Sequence, residues 1–142
     1  MGRVLGIDFG MKRIGLARSD PMKMIASPLK TISAGKSLEE TADLILKELE
    51  GVETIVLGLP LLLSGKDSET TTTVRKFAEI LEKKSGLPLI LWDERLTSKQ
   101  VEKLMIEGEV SRKKRSSHVD TMSATLILQN YLDGSFHEPN QH

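Results

Sequence analysis

The chain has 142 residues, 39% apolar and 28% charged, an ordinary balance for one globular domain with a buried core. It contains no cysteine, which excludes disulfides, thiolate zinc sites and cysteine nucleophiles. Its 20 basic and 20 acidic residues cancel, so any nucleic-acid contact must rest on local basic patches. No apolar run reaches the ~20 residues of a membrane span, and a cytoplasmic location is expected.

RVLGIDF, Arg3 to Phe9, reads as a buried strand with Leu5 and Ile7 on one face and Val4, Gly6 and Asp8 on the other. RIGLARS follows closely enough to pair with it through a hairpin around Gly10 to Lys12. MIASPLKTI is a third strand, and Pro28, which cannot donate to a ladder, predicts an edge position. Three strands in succession predict an antiparallel meander.

The period then changes. SLEETADLILKELE opens on a capping box, Ser37 with Glu40. It carries a helical stripe of Leu38, Ala42, Ile45 or Leu46, and Leu49. ETIVLGLP is a short buried strand stopped by Gly58 and Pro60. A second helix is predicted from about Thr71 to Ser85, with Val74, Phe77, Ala78 and Leu81 inward and Gly86 as its stop. LPLILWD is a fifth strand, and Thr97 with Gln100 boxes the start of a third helix. A last helix is predicted from about Ser117 to Leu132, ahead of a frayed tail. Strands alternating with helices after a meander imply parallel crossovers, hence an α/β domain with a mixed sheet flanked by helices.

Three acidic positions stand out. Asp8 ends an apolar run, and a buried carboxylate needs a cation, a metal or several donors. An Asx-type turn at Gly10 is the structural alternative. Gly6 and Gly10 flank Asp8 without side chains, as if to leave room for a phosphate. Asp93 and Glu94 close the fifth strand, where alternation sends their side chains to opposite faces. An ion pair of Asp93 with Arg95 is the simpler role there. Ser117 and Asp120 fit a capping box, yet Asp120 also heads an inward stripe with Ala124, Ile127 or Leu128, and Tyr131. Like charges gathered from these elements cannot all stay ionised without a cation, and oxygen-only ligands select Mg²⁺ or Mn²⁺. Two such ions about 4 Å apart activate water and stabilise a leaving oxygen in phosphodiester hydrolysis.

Basic residues ring these acids: Lys12 and Arg13 after Asp8, Arg95 after Glu94, and the run Arg112, Lys113, Lys114, Arg115 before the last helix. They suit phosphate contacts. Aromatic residues are only 4%, so base stacking on aromatic platforms is not the expected mode.

GIDFGMKRIGLA, VLGLPLLLSG, WDERLTS and VDTMSATLILQNYL, in this order and at these intervals, resemble the YqgF family over about residues 3 to 133. Its members are described as pre-16S rRNA nucleases and as Holliday-junction-resolvase-like proteins. The resemblance implies an RNase H-like fold over residues 1–134, a flexible tail over 135–142, and a metal-dependent nuclease maturing the 5′ end of 16S rRNA. It implies Asp8 and Asp120 as metal-binding acids, and Glu94 as the third, with Asp93 as its substitute. Related resolvases carry a glutamate at the end of the fourth strand, where this chain reads Gly58-Leu59-Pro60. Met11 stands where a threonine is common, and Leu62 and Ser64 replace an asparagine and an aspartate. Leu61 to Leu63 then read either as a locally packed loop or as an apolar patch for protein contacts.

The expected partner is precursor 16S rRNA, free or in ribosomal precursor particles, with no membrane and a monomer or weak dimer. Three other readings compete. A four-way DNA junction resolvase would need a stable dimer to cut two strands symmetrically. A ribosome- or RNA-binding module would keep the fold without cleavage. IDFGMKRIG also resembles the first phosphate loop of the sugar kinase, Hsp70 and actin superfamily, but nucleotide binding there takes two lobes and this length supplies one.

Overall fold

The computed structural model describes residues 2–62, 64–93 and 112–137, the last segment without the side chains of 112–120 and 135–137. The strands are β1 (Arg3–Phe9), β2 (Arg13–Ser19), β3 (Ala26–Ser33), β4 (Val52–Leu59) and β5 (Leu89–Asp93). The helices are α1 (Leu38–Leu46), α2 (Glu69–Ser85) and α3 (Arg112–His137). The helix expected after Thr97 lies outside the described residues. No described helix is long and apolar enough to cross a membrane.

The sheet order is β3-β2-β1-β4-β5. The first three strands form the expected antiparallel meander, and β4 and β5 join in parallel after helical crossovers. Pro28 does lie on an edge strand. The ladder skips a residue there, from Leu16 opposite Lys30 to Ala17 opposite Pro28, so the missing donor falls at an irregularity.

Strand alternation splits the core in two. Leu5, Ile7 and Phe9 face α1 and α2, meeting Ile45, Val74, Phe77 and Leu81, with the Phe9 and Phe77 rings 4.7 Å apart. Val4, Ala17 and Val56 face α3, meeting Ala124, Ile127, Leu128 and Leu132. The α2 stripe is therefore as expected. Its N-cap is Ser68, three residues ahead of the predicted start, with Thr71 returning the bond to the cap backbone. Gly86 ends the helix in the left-handed region at φ 70°.

The last helix corrects the expectation at both ends. It begins at Arg112 instead of near Ser117, and it continues to His137. Ser117 is thus inside the helix, where an interior N–H already bonds the carbonyl four residues back, and it caps nothing. Arg and Lys are strong helix formers, so the basic run extends the helix instead of preceding it. Residues 135–137 of the expected tail belong to this helix, and 138–142 lie outside the described residues.

Asp20 closes the β2–β3 turn, its Oδ1 accepting from the backbone N–H of Met24 and of Ile25, each at 2.8 Å. These bonds, that of Ile25 foremost, hold its carboxyl below the usual carboxylate range. A depressed folded pKa contributes stability above the unfolded value of about 3.9, and that contribution is lost as pH falls through the folded value. We expect the melting-temperature gap between wild type and Asp20→Asn to be constant near neutrality and to shrink below about pH 4. A gap unchanged down to pH 2 would show that the charge is irrelevant to the turn.

Candidate functional site

Asp8 lies half-buried near the carboxyl end of β1, between the core residues Ile7 and Phe9 and on the opposite face from them. It therefore shares the α3 face with Val4 and Gly6. On β2 its partner is Gly15, and on β4 the residue after Leu57, the partner of Ile7, is Gly58. The positions directly opposite Asp8 on both neighbouring strands are thus glycines. Gly15 and Gly58 bring no Cβ to this level of the sheet.

Gly6 and Gly10 have other reasons. A Cβ on Gly6 would stand 2.7 Å from Cβ of Leu128 and 3.0 Å from the carbonyl oxygen of Ala124. What approaches Gly6 is α3. A Cβ on Gly10 would stand 2.4 Å from the carbonyl oxygen of Arg13, inside the β1–β2 turn. Neither glycine makes space for a phosphate, which corrects the reading from sequence.

The contact at Gly6 also sets where α3 begins. Gln129 holds the other end of the sheet, accepting from the Ala26 N–H at 2.8 Å and donating to the Met24 carbonyl at 3.0 Å. Ala26 lies opposite Ser19, whose hydroxyl accepts from Val4 N–H, so Gln129 is near the start of β1. The helix consequently runs against β1. Asp120 is one turn, about 6 Å, before Ala124, and Asp8 is two residues, about 6.6 Å, beyond Gly6. The two steps are alike in length and run in the same direction from the contact at Gly6.

At β5 the two candidate acids separate. Trp92 and Ile90 pack on the α3 side, while Leu89 and Leu91 pack on the α1 and α2 side. Asp93, opposite Leu59, falls on the latter side. It is exposed, two strand spacings or roughly 10 Å from Asp8, and on the other face of the sheet. Glu94 and Arg95 lie outside the described residues. Among the described residues no three His, Asp or Glu side chains gather as a metal-holding group, and of the expected trio only the Asp8 side chain is described.

Lys12 is exposed in the turn after Asp8, its carbonyl accepting from Ala34 N–H, and Arg13 is exposed at the start of β2. Arg112, Lys113, Lys114 and Arg115 form the first turn of α3, the end directed toward Asp8. Helix N-termini favour anions, so four cations there are placed against the helix dipole unless an anion joins them. In the loop after β4, Leu61 packs on the core and Leu62 is exposed, while Leu63 lies outside the described residues. The loop is part packed and part exposed.

A three-strand antiparallel meander continued by two parallel strands, with an acid ending the central strand and a helix laid across it, defines an RNase H-like resolvase fold. In agreement, a Thermus thermophilus RuvC in complex with a Holliday junction superimposes with a TM-score of 0.61 at 16% identity, covering 96% of this chain and 97% of that one. The family model RuvX, described as Holliday junction resolvase, matches residues 2–134, and the chain belongs to that family. A relative from Protochlamydia amoebophila, named "Putative pre-16S rRNA nuclease", is 46% identical over 139 residues, covering 92% of this chain and 93% of its own. One of the same name from Koribacter versatilis is also 46% identical, over 134 residues, covering 93% and 87%. The chain is a member of a nuclease family.

Proposed function

We propose that the protein is a metal-dependent endonuclease that hydrolyses phosphodiester bonds of precursor 16S rRNA at its 5′ end, in the cytoplasm, with residues 1–134 as the catalytic domain. The observation that carries this reading is Asp8, a half-buried carboxylate opposed by Gly15 and flanked by the glycine-bearing β4, on the sheet face that α3 covers. With the helix starting at Arg112, a capping role no longer accounts for Asp120.

The donor chemistry suits a hard cation, since the acids offer only oxygen and the chain has no cysteine. Asp8 and Asp120 would hold Mg²⁺ or Mn²⁺, two ions in the full site. Glu94 completes the set better than Asp93, because Asp93 sits on the opposite face from Asp8. When bound, such ions supply Lewis acidity and a water deprotonated near neutral pH. Lys12, Arg13, Arg95 and the run Arg112, Lys113, Lys114, Arg115 hold the backbone phosphates and fix the strand in register. Recognition then follows shape and backbone, as expected for a chain with one Trp and one Tyr.

RNA is favoured over a DNA junction by the names of the relatives, while the family description favours the junction. Incubating the protein with precursor 16S rRNA and with a four-way DNA junction, each with Mg²⁺ or Mn²⁺, separates them. We expect metal-dependent cleavage of the RNA and slower or no cleavage of the junction. Cleavage of the junction with the RNA left intact would overturn the substrate. Binding of both with cleavage of neither would identify a module that has lost catalysis.

A further inference from the structure

The end of the sheet away from Asp8 holds a cavity of about 350 Å³, bounded by the start of β1, the end of β2 and the start of β3. Its lining includes Arg3, Arg18, Ser27, Pro21, Ile25 and Leu29. Arg3 lies five residues before Asp8 on one strand, roughly 16 Å away. The cavity is separate from the nuclease site.

Its charge is unbalanced. Arg18 pairs with Leu5 across the ladder, and Arg3 is two residues before Leu5, so both arginines project from one face as diagonal neighbours. Ion pairs among the described residues engage Lys23, Lys30, Arg75 and Lys84, and neither of these two. Asp20 lines the same cavity, but its Oδ1 is committed to the N–H groups of Met24 and Ile25. Glu53, at the start of β4, is paired with Lys23. Ser19 accepts from Val4 N–H and donates to the Asp20 carbonyl. Ser27 lies opposite Arg18, and its hydroxyl has no hydrogen-bond partner among the described residues. Two guanidinium groups and one available hydroxyl therefore converge beside a single carboxylate, Asp20, and the lining keeps a net positive charge.

The remaining walls are apolar. Ile25 is 63% exposed at the mouth, beside Pro21, with Leu29 deeper against the core. The volume is far larger than a phosphate group and falls in the ~300–1,000 Å³ range of small-ligand sites. Planar guanidinium forks suit phosphate oxygens, and an apolar wall beside them suits a base.

We propose that this cavity binds a phosphomonoester, a mononucleotide, with Arg3 and Arg18 on its phosphate, Ser27 donating to the same group, and the base against Ile25 and Pro21. The site does not rest on the nuclease reading. It is tested by calorimetric titration of the full-length protein with AMP, adenosine and inorganic phosphate. AMP binds, inorganic phosphate binds more weakly, and adenosine does not bind. Arg3→Gln with Arg18→Gln weakens AMP by ~10-fold or more per arginine, the loss typical of a charged hydrogen bond, with the melting temperature nearly unchanged. Ile25→Glu, which sets a carboxylate at the exposed mouth, abolishes binding independently of the arginines. Adenosine binding as well as AMP, or AMP binding unaffected by the arginine changes, would overturn the site. Phosphate binding as tightly as AMP would overturn the nucleotide and leave a free-phosphate site.

Discussion

Asp8→Asn should abolish cleavage while leaving the protein folded. Asparagine keeps the shape and removes the charge, and a neutral amide is a poor ligand for a hard divalent cation. Partners one shell removed from a metal commonly cost 10–100-fold, so loss of a direct ligand should exceed ~100-fold in rate. Stability gives a second readout. A ligand that binds only the folded state raises its melting temperature, so Mn²⁺ should stabilise the wild type and not the variant. Without metal the variant should melt at or above the wild-type temperature if the proposed acids gather at Asp8, because like charges there would repel one another. Equal cleavage by the two proteins would remove Asp8 from the site. A variant that cleaves poorly yet keeps the Mn²⁺ stabilisation would make Asp8 a substrate-orienting group instead of a ligand.

Gly6→Ala should damage both stability and activity although Gly6 touches no substrate. The added Cβ would meet Leu128 Cβ at 2.7 Å and the Ala124 carbonyl oxygen at 3.0 Å. Neither is the free end of a flexible side chain, so α3 must shift as a body. Overpacking of this kind costs ~1–3 kcal/mol. In a domain of this size that lowers the melting temperature by roughly 3–10 °C. The same shift moves the backbone at Asp120 relative to Asp8, and misplacement by ~1 Å can cost ~100-fold in rate. Cleavage measured well below the melting transition should therefore fall by far more than the unfolded fraction explains. An unchanged melting temperature would mean that the helix yields freely and that the close packing at Gly6 is incidental.

Much of this architecture was legible in the chain. Val74, Phe77, Ala78 and Leu81 recur at helical spacing and are all buried. Pro28 announced an edge strand, and Gly86 a helix stop with a positive φ. Ser37 caps α1 by accepting from Glu40 N–H, although among the described residues the Glu40 side chain does not return the bond that would complete the box. These features depend on residues a few places apart, where propensity and periodicity act. The start of α3 was misread for the same reason: S-x-x-D is a local signal, and the helix-forming run ahead of it extended the helix past that signal.

The site divides along a similar line. The residue types, the oxygen-only chemistry and the alternation that separates Asp93 from Glu94 could be taken from the chain by itself, because each follows from side-chain identity or from the period of a strand. What approaches Gly6 could not, since Leu128 lies more than a hundred residues away and only packing brings it there. Nor could the glycines that flank Asp8, because Gly15 and Gly58 become its neighbours through strand register. The convergence of Arg3, Arg18 and Ser27 is of the same kind, drawn from three strands into one cavity. Local sequence determined the elements and the chemistry they carry. Tertiary structure decided which faces meet, because register and close packing depend on contacts between residues distant along the chain.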